Sequence, residues 1–283
     1  LVLSVATPFL SQRLIQASDF VITVTSSNNS GAGSLRQAIS NANVSDSDVL
    51  INFDSLVSQV DITSPLPTLT SVDFTITIDG GPTGVIINND GGFSDAPLQI
   101  GIGSPVATNS TNNIIRNLTF DGFENGIVVY GENNRIENVT INGITDEDGT
   151  CHGQIGIAVL PRVALIAEPD GSLLTPASGN TIINNNISCF RKGIMAQKMD
   201  DVIISRNTIW ANNANTVIDL DDDLYACHMA GIDIQGTRVL GAGEVGHNFI
   251  SDNRIYNNGI EFTAGPTSCD ESTFEAGGKI GRA

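Results

Sequence analysis

The chain has 283 residues, of which 40% are hydrophobic and 5% are aromatic. Thirteen basic residues against 31 acidic ones give a formal net charge of −18. Because such a surface repels nucleic acids and anionic membranes, we expect neither as a partner, whereas cation binding suits it. No apolar run is long enough to cross a bilayer, so we also expect no membrane span in this segment.

The first residues of the chain contain few charged side chains and allow two interpretations. Residues 1–17 are apolar at the start and end on a small residue. This composition fits the remnant of a secretory signal peptide, and it also fits an ordinary first strand and cap segment.

Residues 18–79 are predicted to form an N-terminal cap and a first coil. The alternating residues 20–25 predict a strand, and Ser34 followed by Gln37 predicts a capped helix over residues 34–43. The apolar side chains of this helix share one face; they are Leu35, Ala38, Ile39 and Ala42. An amphipathic helix is a suitable cover for the open end of a solenoid, where strand edges would otherwise be exposed.

A short phrase recurs along the second half of the chain. Its copies open at Asn113, Asn134, Asn180, Asp201 and Asn248, and each of the first four leads to a Gly-Ile pair. Neighbouring copies begin 21 residues apart (113 to 134, and 180 to 201), which fits one solenoid coil of three short strands. The recurring asparagines are predicted to stack as an amide ladder inside a turn.

The repeats predict an all-β solenoid over residues 80–283. Apolar residues alternate with polar ones inside each copy, as strands with one buried face require. The pattern stops in mid-repeat, as expected of a β-helix that is truncated at its C-terminal end.

Several N-terminal phrases resemble a known family. They are Thr23-Val-Thr, the stretch Ser-Gly-Ala-Gly-Ser-Leu-Arg-Gln-Ala-Ile from Ser30, Ile51-Asn-Phe, the prolines at 65 and 67, and Asp-Gly at 79–80. Together they are similar to the first coil of secreted proteins of the pectin-lyase-like superfamily. The resemblance implies a right-handed parallel β-helix with a short N-terminal capping helix, located outside the cell or on its surface. Since this superfamily contains lyases, hydrolases, epimerases and non-catalytic proteins, the resemblance selects no activity.

Two coils are longer than the others and are interrupted by similar phrases. The first insertion begins at Asp146 and reads Asp-Glu-Asp-Gly-Thr-Cys-His, and the second begins at Asp221 and reads Asp-Asp-Asp-Leu-Tyr-Ala-Cys-His. One short coil lies between them, so the insertions should leave the solenoid about 10 Å apart on one side. This spacing predicts a cluster of side chains, namely Cys151, His152, Cys189, Cys227 and His228, with acidic residues, Arg191 and Lys192 beside them.

Three chemistries fit this cluster, and the sequence leaves them open. The first is a disulfide, for which the candidates are Cys151, Cys189, Cys227 and Cys269. The second is a zinc site built from the two Cys-His pairs. The third is a Ca²⁺ site, for which the candidate ligands are Asp146, Asp148, Asp221 and Asp223. A solvated acidic loop is the alternative to any metal.

The resemblance also implies candidate catalytic residues. Superfamily lyases and epimerases pair acidic Ca²⁺ ligands with a basic side chain that removes a proton next to the sugar carboxylate. Lys192, Arg191 and His228 are the candidates for this role. The candidate substrate-binding residues are His152, Asp219 and Asp233. A hydrolase is less favoured, because the hydrolase family's characteristic Asn-Thr-Asp, Gly-His-Gly and Arg-Ile-Lys elements are absent from the sequence.

The first functional hypothesis is an exported β-helix protein with a carbohydrate-binding, adhesive or structural role. Its partner would be a polysaccharide or a cell-surface glycan. The alternative hypothesis is a Ca²⁺-assisted polysaccharide lyase or epimerase that acts on a uronic-acid polymer.

Overall fold

The chain winds through short strands that pair with the equivalent strands of the next coil. The computed structural model describes residues 20–101, 110–147, 149–163, 174–197, 199–210, 230–235 and 248–256. These residues contain one α-helix and 24 β-strands, arranged in three long parallel sheets and two short sheets. The predicted parallel β-helix is therefore confirmed.

Each long sheet takes one strand from successive coils. Sheet A contains β1 (Phe20–Val24), β2 (Val49–Phe53), β4 (Ile76–Asp79), β7 (Ile114–Arg116), β10 (Arg135–Glu137), β16 (Thr181–Ile183), β20 (Ile203–Ser205) and β23 (Phe249–Ser251). Sheet B contains β3 (Gln59–Ile62), β5 (Val85–Asn89), β8 (Leu118–Phe123), β11 (Thr140–Gly143), β17 (Asn186–Ser188), β21 (Thr208–Trp210) and β24 (Arg254–Tyr256). Sheet C contains β6 (Leu98–Ile100), β9 (Asn125–Val129), β12 (Gly153–Val159), β18 (Phe190–Gln197) and β22 (Ala230–Gln235).

Two further sheets have two strands each. β13 (Arg162–Val163) pairs antiparallel with β14 (Leu174–Thr175). β15 (Ala177–Ser178) pairs parallel with β19 (Met199–Asp200).

The core lies inside the solenoid and consists of stacked aliphatic side chains. In sheet A the strand register places one isoleucine of each coil on the next; these residues are Ile51, Ile78, Ile115, Ile136, Ile182 and Ile204, all of them buried. In sheet B the same position is filled by Val60, Ile87, Phe120, Ile141, Ile187 and Ile209, also buried. Because large apolar side chains recur at the coil spacing, each layer packs on the equivalent layer of the next coil.

The helix α1 (Leu35–Ala42) covers the first coil as predicted. Its four apolar residues are all buried, and the hydroxyl of Ser34 accepts a hydrogen bond from the Gln37 N–H at 3.2 Å. The capping box differs in one respect, since the Gln37 Oε1 accepts from the Gly33 N–H and not from the Ser34 N–H. The reason is that the Ser34 N–H already donates to the Gly31 carbonyl.

Arg36 anchors this helix to the turn before it and to the coil below. Its guanidinium donates to the carbonyl oxygens of Asn29, Ser64 and Pro65, at 3.1, 2.8 and 2.6 Å. Desolvation by burial lowers the pKa of Arg36 below its ordinary value. Neutral carbonyl acceptors thus hold the cation in place and tie the cap to the solenoid.

Two amide ladders run along the solenoid, where the sequence predicted stacked asparagines. The first connects Asn113, Asn134 and Asn180, with Nδ2 to Oδ1 distances of 3.0 and 3.2 Å. It is interrupted in the next coil by Val202, which is fully buried, and Asn248 of the coil after that accepts from the Val202 N–H at 3.0 Å. The second ladder lies in the turn between sheets A and B; it connects Asn185, Asn207 and Asn253, at 3.0 and 2.9 Å.

The recurring Gly-Ile pair marks a close approach between neighbouring coils. A Cβ atom added to Gly156 would lie 2.6 Å from the carbonyl oxygen of Gly193 and 2.5 Å from the Cγ2 of Ile187. A Cβ atom on Gly126 would in the same way meet the carbonyl oxygen of Gly156. These two glycines of the repeat are therefore required by packing.

The longer coil that starts at Asn134 is extended in two places. Residues 144–152 separate β11 from β12, and residues 160–180 separate β12 from β16. The sequence predicted only the first insertion, because the second has no phrase that recurs elsewhere. The first one leads directly into sheet C.

Candidate functional site

The insertion at residues 144–152 is a short loop that is closed by its own backbone. The Asp146 N–H donates to the Thr150 carbonyl at 3.1 Å, and the Thr150 N–H donates to Asp146 Oδ1 at 2.9 Å. Thr145 and Cys151 form an antiparallel bridge that brings the two ends of the loop together. The loop therefore leaves and re-enters the solenoid at one point.

A disulfide fixes this loop to the following coil. Cys151 is joined to Cys189, with 4.9 Å between their Cα atoms, and Cys151 is only 2% exposed. The predicted disulfide is confirmed, and it has the pairing Cys151–Cys189, which the sequence left open. Cys227 and Cys269 lie outside the described residues. The hypothesis of a zinc site that uses Cys151 is wrong, because a sulfur in a disulfide is not available as a thiolate ligand.

The acidic end of the loop carries a second contact. His152 Nε2 lies 2.8 Å from Asp146 Oδ2, and both side chains are about half exposed (47% and 46%). Since the other carboxylate oxygen of Asp146 accepts the Thr150 N–H, both oxygens take part in contacts inside the loop. Asp146 thus braces the loop.

The other predicted metal ligands, Asp148, Asp221 and Asp223, lie outside the part of the chain that the structure describes. Within that part, no group of three or more His, Cys, Asp and Glu side chains is arranged to hold a metal ion. Asp146 is the one candidate ligand that the structure describes, and it would have to give up its contacts with Thr150 and His152 before it could bind a cation.

The structure brings two further predicted residues together on sheet C. Lys192 on β18 forms an ion pair with Asp233 on β22, with 2.7 Å between Nζ and Oδ2. Their side chains are only 15% and 17% exposed. The Lys192 Nζ also lies 3.8 Å from the sulfur of Met195. The pair is therefore recessed into the surface.

The surroundings of this pair lie on the outer face of the sheet. Ala158, Met195 and Asp233 occupy one row of the register. Ala158 and Met195 are buried but do not belong to the hydrophobic core inside the solenoid. The outer face of sheet C is thus partly covered around the ion pair.

The loop and the ion pair are close neighbours along the strands. Gly153, directly after His152, pairs with Phe190, and Ile155 pairs with Lys192. Two residues of a strand span roughly 7 Å. The disulfide-anchored loop and the recessed pair therefore form one candidate site, which we call the sheet C site (residues 144–147 and 149–152, Lys192 and Asp233).

Not every predicted residue joins this site. Arg191 is half-buried on β18, next to Lys192. His228 and Asp219 lie outside the described residues. A general base needs a free lone pair, whereas the Lys192 nitrogen faces a carboxylate at ion-pair distance. The observed contact therefore favours holding a ligand over proton abstraction.

A row of charges on sheet A was not predicted. Arg116 lies 2.9 Å from Asp79 and 3.8 Å from Glu137, and Arg135 lies 2.6 Å from Glu137. Arg116 and Glu137 occupy the same position in two successive copies of the repeat. Opposite charges at one repeat position are the signal that could have identified this network.

No family model matches this chain, and no curated protein is similar enough to count as a match. Among the described residues, no helix is long and apolar enough to cross a membrane.

Proposed function

We propose that this protein is an extracellular or cell-surface member of the pectin-lyase-like superfamily that binds a polysaccharide or a cell-surface glycan at the sheet C site. The parallel β-helix and the N-terminal phrases support the superfamily. The disulfide between Cys151 and Cys189 supports an oxidising compartment, where such bonds persist.

The observation that carries the proposal is the recessed ion pair of Lys192 and Asp233. Sugar hydroxyls both donate and accept hydrogen bonds. An ammonium and a carboxylate side by side offer a donor and an acceptor to such groups, and charged partners make the stronger hydrogen bonds. The site is also rigid, since the disulfide holds the neighbouring loop to β18.

Binding to immobilised polysaccharides tests this proposal, with neutral and uronic-acid polymers presented to the same protein. Lys192→Met keeps the apolar stem and removes the charge, so we expect it to weaken binding at least about tenfold. Arg135→Met is the matched control, because it removes a positive charge from sheet A. It should bind within about twofold of the unmodified protein. Equal binding by the Lys192→Met protein would rule out the sheet C site.

A second experiment, an absorbance assay, separates binding from catalysis. The protein is incubated with a uronic-acid polymer and Ca²⁺, and the absorbance of unsaturated product is followed. A steady increase that disappears in the Lys192→Met protein would replace the binding role with a lyase activity. A constant absorbance together with measurable binding is the result we expect.

A further inference from the structure

A second row of side chains runs across the outer face of sheet B. The strand register aligns one residue from each of five successive coils. They are Asp121, Asn142, Ser188, Trp210 and Tyr256, and we call them the polar–aromatic strip. The residue before each one along its strand points into the core, where Phe120, Ile141, Ile187 and Ile209 are buried. The strip therefore lies on the outer face of the sheet, where Ser188 is itself buried (5% exposed) and the other four side chains are half-buried.

The polar half of the strip is held by its own hydrogen bonds. The amide of Asn142 donates to Asp121 Oδ1 at 2.8 Å, and the hydroxyl of Ser188 donates to Asn142 Oδ1 at 3.1 Å. These contacts orient the carboxylate and the amide. Each of these groups has more hydrogen-bonding capacity than the contact within the strip uses.

The aromatic half of the strip consists of two nearly parallel rings. The Trp210 and Tyr256 planes differ by 7°, and their centroids are 6.2 Å apart. At this separation parallel rings overlap only in part, so part of the Trp210 face is not covered by Tyr256. The indole N–H donates to Asn186 Oδ1 at 2.8 Å, and the Arg254 guanidinium lies 4.7 Å from the Tyr256 centroid. Both rings are therefore held in place before any ligand arrives.

We propose that the polar–aromatic strip binds a neutral polysaccharide chain that lies across the coils, along the solenoid axis. The C–H face of a sugar ring packs on an aromatic ring, and its hydroxyl groups match ordered amide, hydroxyl and carboxylate groups. Five residues at the coil spacing of about 4.8 Å extend over several sugar units. The inference shares with the proposed function only its ligand class, because the strip lies on sheet B.

Charge selects a neutral ligand over an acidic one. The chain carries a formal net charge of −18. The row of the strip continues backwards through Asn88 to Asp61, so it contains two carboxylates, those of Asp61 and Asp121. A polymer of uronic acids would bring further carboxylates to this row and would be repelled.

The single tryptophan of the chain allows a direct test. Emission from Trp210 is recorded while cellohexaose, mannohexaose or oligogalacturonate is added. We expect a saturable change in emission with at least one neutral oligosaccharide and none with oligogalacturonate. Calorimetry on the same samples should show that Tyr256→Ala and Trp210→Ala each weaken binding of that oligosaccharide at least about tenfold.

Matched variants distinguish this inference from the proposed function. Phe249→Ala removes a ring that is 58% exposed on sheet A, and it should leave the calorimetric affinity within about twofold. Lys192→Met should also leave the affinity for that oligosaccharide within about twofold, because Lys192 is not in the strip. The tenfold loss expected of Lys192→Met applies to the polymer that the sheet C site binds. Loss of neutral-oligosaccharide binding in Lys192→Met, with Tyr256→Ala unaffected, would overturn the strip and retain the sheet C site. Binding of oligogalacturonate alone, or no change in Trp210 emission with any oligosaccharide, would also overturn the strip.

Discussion

At the scale of single residues, the buried asparagines make hydrogen bonds that no apolar side chain could make. The Oδ1 of Asn134 accepts from the backbone N–H of Asn113 at 2.9 Å and from its Nδ2 at 3.0 Å. Its own Nδ2 donates to the Ser110 carbonyl at 3.2 Å. The turns of the solenoid leave backbone groups without strand partners, and the amides satisfy them.

Asn134→Ala should therefore destabilise the protein markedly. The substitution leaves the buried N–H of Asn113 without an acceptor, which costs about 1–3 kcal/mol in the free energy of unfolding. Urea unfolding followed by circular dichroism measures it. Asn125→Ala is the control, since it removes one exposed hydrogen bond to Ser94 and should change stability by less than about 0.5 kcal/mol. Equal effects of the two substitutions would contradict this role of the ladder.

Single residues also show what the sequence could and could not predict. The first ladder was predictable because its asparagines open the copies of the repeat. The ion pair of Lys192 and Asp233 was not, although both residues were candidates. Their contact depends on the register between β18 and β22. The insertions on either side of β22 break the regular spacing of the repeat, so the spacing does not predict that register. Trp210 and Tyr256 were missed for a different reason. Each directly follows the last isoleucine of its copy of the repeat, so aligning the copies one residue further could have placed them side by side.

At the scale of elements, the loop at 144–152 depends on the coil that follows it. The loop has its own backbone hydrogen bonds, but the disulfide connects it to the residue before β18 across a sequence separation of 38 residues. A cross-link of this length restricts the unfolded chain substantially. The disulfide thus stabilises both the loop and the junction of β12 and β18.

Replacing both cysteines, Cys151→Ser with Cys189→Ser, should lower the free energy of unfolding by about 2–4 kcal/mol. Thermal unfolding with and without a reductant measures the effect. The unmodified protein should lose a similar amount of stability when reduced, while the double variant should respond much less. A reductant that destabilises both proteins equally would show that this link contributes little.

Element boundaries were predicted well where local signals exist. The helix was expected over residues 34–43 and runs over Leu35–Ala42, because Ser34 caps it and Asn43 ends it. The added length at residues 160–180 was not predicted, since it contains a short antiparallel pair, β13 and β14, that interrupts the repeat. The structure of such a segment depends on pairing between residues that are distant in sequence. A phrase that occurs only once has no second copy from which this pairing could be predicted.

For the whole molecule, an elongated stack with a net charge of −18 repels itself. Among the described residues a few ion pairs oppose this repulsion, including the row of Asp79, Arg116, Glu137 and Arg135 on sheet A. Surface ion pairs contribute about 0.2–1 kcal/mol each and are themselves screened by salt. Overall repulsion should therefore outweigh them.

Raising the salt concentration from about 10 to 150 mM should raise Tm by about 2–5 °C, because the Debye length falls from about 30 to 8 Å. Differential scanning calorimetry measures this shift. A variant with three exposed carboxylates replaced by amides, Asp46→Asn, Asp90→Asn and Asp95→Asn, should show a smaller shift. A Tm that falls with salt would mean that the ion pairs dominate.

The two amide ladders have a consequence for how the solenoid would come apart under force. The first ladder joins the coils of Asn113, Asn134 and Asn180. The second begins at Asn185, whose amide reaches back to the Val139 N–H and the Ile136 carbonyl in the coil of Asn134. The junction between the coils of Asn134 and Asn180 is thus crossed by both ladders and by the disulfide. Coils peeled from either end would each be released by breaking one ladder alone, and this junction would act as the mechanical clamp between two halves that can unwind separately.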